Sequence, residues 1–136
     1  MLSGANPAGD ALPDLPESPV PSYLTVQDGI PVIYGPESVP TSGVRVVHPT
    51  NPAAASKFHS VGVVTVPPHA TLPNHFHEPE ETFVVLQGTA SLTASNGARE
   101  LKKGDFVYLP PWAEHAIENT GHEVFVFVVV TAPANP

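Results

Sequence analysis

From Ile30 to Thr131 the apolar residues fall in short runs, many alternating with polar ones, and each run is closed by a turn signal. A period of two puts successive side chains on opposite faces of an extended chain, which is the pattern of a strand. The runs predict strands at 23–26, 30–34, 44–48, 59–66, 82–86, 90–94, 99–102, 106–109, 115–118 and 124–131. Breakers separate them, among them Asp28-Gly29, Pro67-Pro68, Gln87-Gly88, Gly104-Asp105 and Pro110-Pro111. Asn96-Gly97 predicts a two-residue hairpin, because both residues tolerate positive φ. The one helix candidate, 52–57, is short, and no internal repeat is evident. Many short strands without helices predict an all-β sandwich or small barrel.

Parity assigns faces. Phe83 and Val85 share it with Glu81, so they are expected to line the interior, while Phe106 and Tyr108 share a face of their own strand. Phe125 and Phe127 lie in a nearly all-apolar run and belong to the core. The start is different. Residues 1–21 are rich in Pro, Ala, Gly and Asp without periodicity, which predicts an extended, polyproline-like arm. The remainder, 22–136, is long enough for one domain with its own core.

Composition narrows the function. Thirteen acids against five Lys and Arg leave a net charge of −8. No basic footprint exists for a nucleic-acid backbone or an anionic membrane, so neither partner is expected. The absence of Cys excludes disulfides, thiolate nucleophiles and Cys-type zinc sites. The first basic residue is Arg45, prolines interrupt the start, and the longest apolar run, 124–130, is too short to span a bilayer. A soluble, cytoplasmic protein is expected.

The candidate chemistry lies in Asn74-His75-Phe76-His77-Glu78-Pro79-Glu80-Glu81. His75 and His77 are two apart and share a face on a strand, and Glu81 joins them if the chain stays extended past Pro79. One strand cannot surround an ion. His115, which opens a strand after a Pro-rich turn, is the candidate for a fourth ligand. Three imidazoles and a carboxylate suit one divalent transition metal ion, with iron or manganese favoured and zinc, nickel, cobalt or copper able to serve. Four protein ligands on an octahedral ion leave two positions, enough for a chelating substrate or for substrate and dioxygen. On their own, His75 and His77 also fit a solvated turn.

A wider pattern resembles a known family. The run His75, His77, Glu81, Gly88 is similar to the first motif of the cupin superfamily, and Gly104, Pro110, His115, Asn119 to its second. The resemblance implies an antiparallel jelly-roll β-barrel, with the extended Pro-rich arm outside the pattern, the metal inside the barrel, and a homodimer. Two positions depart from it. His69 and Trp112 stand where the family has glycines that ease tight turns. Gly88 and Gly104 read as turn positions, and Asn119 as a loop-fixing side chain.

Two further residues are candidate catalytic groups, His69 as a base at the pocket rim and Tyr108 as a proton donor to a small-molecule substrate. A solvent-exposed turn histidine and a packing tyrosine are the simpler readings. His59 faces either the cavity or solvent, and His48 and His122 are expected at the surface. An apolar cavity with one metal favours a small organic substrate with a chelating end. The favoured reaction is a metal-dependent oxygenation. The alternatives are a non-redox cyclase, isomerase or lyase using the metal as a Lewis acid, and a module that only binds a small ligand.

Overall fold

The computed structural model describes residues 19–34 and 40–134. Residues 1–18, most of the expected arm, lie outside the described residues. Ten strands run β1 Ile30–Tyr34, β2 Thr41–Val47, β3 Ser60–Val66, β4 Thr71–His75, β5 Glu80–Gln87, β6 Thr89–Ala94, β7 Gly97–Lys102, β8 Phe106–Leu109, β9 His115–Glu118 and β10 Phe125–Ala132. They form a six-stranded sheet, β1-β2-β3-β10-β5-β8, and a four-stranded sheet, β4-β9-β6-β7, with every pair antiparallel. This is the expected all-β jelly-roll architecture. Among the described residues no helix is long and apolar enough to cross a membrane.

The sheets close on one core because both are amphipathic with period two. Along β3 Ser60, Gly62, Val64 and Val66 are buried and the residues between them are half-buried. Phe83, Val85, Phe125 and Phe127 of the larger sheet meet Leu92, Leu101 and Ile117 of the smaller one. Burying such side chains contributes about 1.5–3 kcal/mol each, which carries the fold without disulfides.

Several elements differ from the sequence pattern. Residues 23–26 are not a strand. Thr25 caps a 3-10 turn, Val26–Asp28, in which its hydroxyl accepts from the Gln27 amide while the Asp28 carboxylate accepts from the Thr25 amide. The helix candidate shrinks to a 3-10 turn, Pro52–Ala54. The hairpin after β6 pairs Ala94 with Gly97, so Ser95 and Asn96 make the turn and Gly97 alone takes positive φ. Strand β4 was absent from the pattern, since Thr71–His75 carries one buried side chain, Leu72, and a proline. It is extended because β9 supplies its partners, Thr71 opposite Glu118 and His75 opposite His115.

Turn positions follow the expectation at Gly88, where φ is +80° and a Cβ would sit 2.6 Å from the Val124 carbonyl oxygen. His69 and Trp112 adopt the same left-handed backbone, at φ +69° and +68°, without being glycine. The turns therefore keep their shape and the side chains bear the strain. Asn119 is wholly buried. Its amide nitrogen donates to the Val66 and Glu123 carbonyls, its amide oxygen accepts from Gly121 N–H, and its backbone bonds to His69 and Ala70.

Candidate metal centre

The end of β4, the start of β5 and the start of β9 converge at one point between the sheets. His75 ends β4 and lies opposite His115, the first residue of β9. His77 lies past the end of β4, and the chain then bends at Glu78-Pro79 before entering β5. Glu81 therefore arrives from the larger sheet and not by continued parity along one extended strand. The bend carries the segment from one sheet to the other, so its side chains approach a common point from different directions.

One ring nitrogen from each of His75, His77 and His115 lies within 4.8 Å of the others, and these three histidines could hold a metal ion. Glu81 Oε1 is 3.2 Å from His115 Nε2 and 3.4 Å from His77 Nε2. The other face of each imidazole is fixed. Nδ1 of His75, His77 and His115 contacts the carbonyl of Pro73 at 2.7 Å, Pro79 at 2.8 Å and Ala113 at 2.9 Å. A carbonyl only accepts, so each Nδ1 carries the proton and each Nε2 offers a lone pair to the centre. Trp112 N–H donates to the His77 carbonyl, tying the second motif to the first, and its ring lies against Phe76.

Three atoms decide whether an ion fits. His77 Nε2, Glu81 Oε1 and His115 Nε2 are buried, converge, and have no hydrogen-bond partner. Buried polar atoms are nearly always satisfied, and leaving one bare costs about 1–3 kcal/mol. A shared cation satisfies three Lewis-basic atoms at once, so the donor set fits a divalent transition metal.

Burial and the neighbouring acceptors act against each other on two of the imidazoles. Burial holds the His75 imidazolium below its ordinary value of 6.5, outweighing the Pro73 carbonyl. Burial also pulls His115 down, but the Glu81 carboxylate and the Ala113 carbonyl together push it above 6.5.

Beside the cluster is a cavity of about 400 Å³ reached by His75 and Glu81. Phe83 lines it as parity predicted, while Val85, on the same face, is buried in the core without reaching it. His69 and Tyr108 are placed away from it. His69 is exposed and absent from the lining. Tyr108 is 58% exposed, faces outward with Phe106, and donates its hydroxyl proton to Glu80, which raises its own pKa. His59 and His122 are exposed, whereas His48, expected at the surface, is buried against Thr50 and Arg45. The sequence reading passed over Tyr34 and Arg45, which line the cavity. The signal was present in β2, where Arg45 shares parity with Thr41 and Gly43.

A family model described as Cupin domain matches residues 62–131. An uncharacterised protein of Methanocaldococcus jannaschii is 32% identical over 57% of this chain. The match spans about 62% of that relative's length. Among solved structures, the polyketide cyclase RemF of Streptomyces resistomycificus superposes with a TM-score of 0.72 at 19% identity, covering 86% of this chain and 82% of RemF. A predicted oxalate decarboxylase of Thermotoga maritima superposes at 0.69 with 19% identity, covering 82% and 98%. At such identities the likeness establishes the shared fold.

Proposed function

This chain belongs to the cupin family, and from that premise we propose that it is a metal-dependent enzyme acting on a small organic substrate. The ligands are His75, His77, Glu81 and His115. The observation that carries this reading is the trio of buried, convergent Lewis-basic atoms that have only one another for neighbours and no hydrogen-bond donor, His77 Nε2, Glu81 Oε1 and His115 Nε2. A divalent ion held there would supply Lewis acidity to a chelating oxygen of the substrate. The protein's own part is orientation and exclusion of water. The three Nδ1 contacts hold the rings in one tautomer, and Phe83, Phe127 and Val129 give the cavity a dry wall beside Glu81.

Two reaction classes fit this geometry. Lewis-acid chemistry on an enolisable substrate stands first, because the similar folds named above are a polyketide cyclase and a predicted oxalate decarboxylase. Oxygenation, favoured by the sequence reading, stands second and draws on the coordination positions four protein ligands leave open. The homodimer belongs to the same reading, and a light-scattering mass of one chain would remove it. Metal content by plasma mass spectrometry on untagged protein tests the centre. Near-stoichiometric metal, lost in His77→Ala, is expected, and no metal after reconstitution would overturn the proposal. Turnover of a panel of small keto acids and diketones under air and under argon then separates the classes. Equal rates support the Lewis acid, and a requirement for oxygen reverses the order.

A further inference from the structure

The histidine cluster accounts for one side of the cavity, and the side toward β1 and β2 is built for a different purpose. Arg45 and Tyr34 line it there. Arg45 lies on the inward face of β2 with the buried Thr41 and Gly43. Gly43 makes room for the phenol. A Cβ at Gly43 would lie 3.1 Å from the Tyr34 ring and 3.3 Å from its hydroxyl oxygen. Gly62, paired with Arg45 across β2 and β3, lets the two strands approach closely, since a Cβ there would lie 2.6 Å from the Val44 carbonyl oxygen.

Arg45 Nη1 lies 3.4 Å from Nε2 of the buried His48, whose Nδ1 accepts from the Thr50 amide, so the two head groups are neighbours and not a hydrogen-bonded pair. Burial raises the Tyr34 pKa, the Arg45 guanidinium lowers it and Glu81 raises it, so the phenol keeps its proton and lies within electrostatic reach of both. The chain has five Lys and Arg in all, and Arg45 is the one that lines the cavity among the described residues.

A guanidinium presents a planar fork of donors that matches a carboxylate, and a protonated phenol beside it adds a third. The sheet order β2-β3-β10-β5 sets Arg45 three strands from Glu81, about 14 Å along the curved sheet at the usual strand spacing. With both side chains reaching inward, the space between suits a short molecule.

We propose that Arg45, with the Tyr34 hydroxyl, forms a carboxylate-binding subsite, so that the substrate is a small acid with a chelating head toward His75 and Glu81 and a carboxylate at its far end. The chelating half rests on the metal centre proposed above, and the carboxylate half stands on Arg45 and Tyr34.

The probes are 2-oxoadipate and 2-oxohexanoate, which share chain length and chelating head and differ in the distal carboxylate. Both are titrated calorimetrically into nickel-loaded and metal-free protein. The wild type is expected to bind 2-oxoadipate about tenfold more tightly, one charge-assisted pair's worth. Arg45→Gln should bring the two probes level while leaving 2-oxohexanoate unchanged, and Arg45→Lys should restore part of the preference. Should Arg45→Gln fail to fold, Tyr34→Phe must weaken 2-oxoadipate selectively. Equal binding by the wild type, or a variant that weakens both probes alike, overturns the subsite. Nickel affinity is measured separately. Preference without nickel binding removes the metal centre alone, and nickel binding without preference removes the carboxylate subsite alone.

Discussion

Glu81→Met separates a metal centre from a structural ion-pair cluster. Glu81 is 6% exposed, and its Oε1 lies near two imidazole nitrogens without a hydrogen bond to either. In metal-free protein that bare acceptor costs about 1–3 kcal/mol. Methionine is unbranched, of similar volume, and needs no partner. In chelator at about pH 9, well above the ordinary imidazole range, the variant should therefore be the more stable protein by about 1–3 kcal/mol. For a chain of this size that is a melting temperature about 4–12 °C higher. Saturating nickel reverses the order. The wild type gains about 4 kcal/mol when free metal is a thousandfold above its dissociation constant, and the variant, lacking a ligand, gains much less. The assay is a thermal melt by circular dichroism in both conditions. A variant that melts below the wild type in chelator would refute the reasoning, because Glu81 would then be holding the histidines together as a structural group.

Asn119→Ala strips partners from Val66 and Glu123 carbonyls and from Gly121 N–H, and should cost about 3–5 kcal/mol in a urea titration; a loss under about 1 kcal/mol contradicts this. His69→Gly removes a left-handed strain of about 1–2 kcal/mol at φ +69° against about 0.5–1 kcal/mol of added chain entropy, so a small net stabilisation is expected in the same assay. Metal affinity should fall with pH in two stages. His115, pushed above 6.5 by Glu81 and Ala113 against the pull of burial, takes up its competing proton first. His75, held below 6.5 by burial, competes only at lower pH. Competition titrations from pH 5 to 9 read this slope, and a flat profile is incompatible with imidazole ligands.

Much of the fold was legible because alternation is a local property. The bounds of β1, β8 and β9 are those the pattern predicts, and Gly88 and Gly104 take the positive φ that turn positions demand. Local pattern failed where a segment owes its shape to a distant partner. Thr71–His75 contains a proline and little apolar surface, and it is a strand only because β9 pairs with it. It also failed where a short-range polar bond won, as in the Thr25–Asp28 cap that replaces the strand at 23–26.

The candidate site divides in the same way. The residue types and spacing of His75, His77, Glu81 and His115 were determined by sequence alone, as was the ligand chemistry available to them. Their meeting point was not. His77 and Glu81 lie on either side of the bend between sheets, so parity could not place them on one face. Tyr108 looked like a proton donor from its strand, but the register of β8 against β5 turns it outward to Glu80. Arg45 and Tyr34 became site residues only when the order β1-β2-β3-β10-β5 laid them in the cavity that holds Glu81. A sequence encodes which face of a strand a residue takes, because that is one dihedral repeat long. Which faces come to oppose each other depends on pairings many residues apart, and only the tertiary structure decides them.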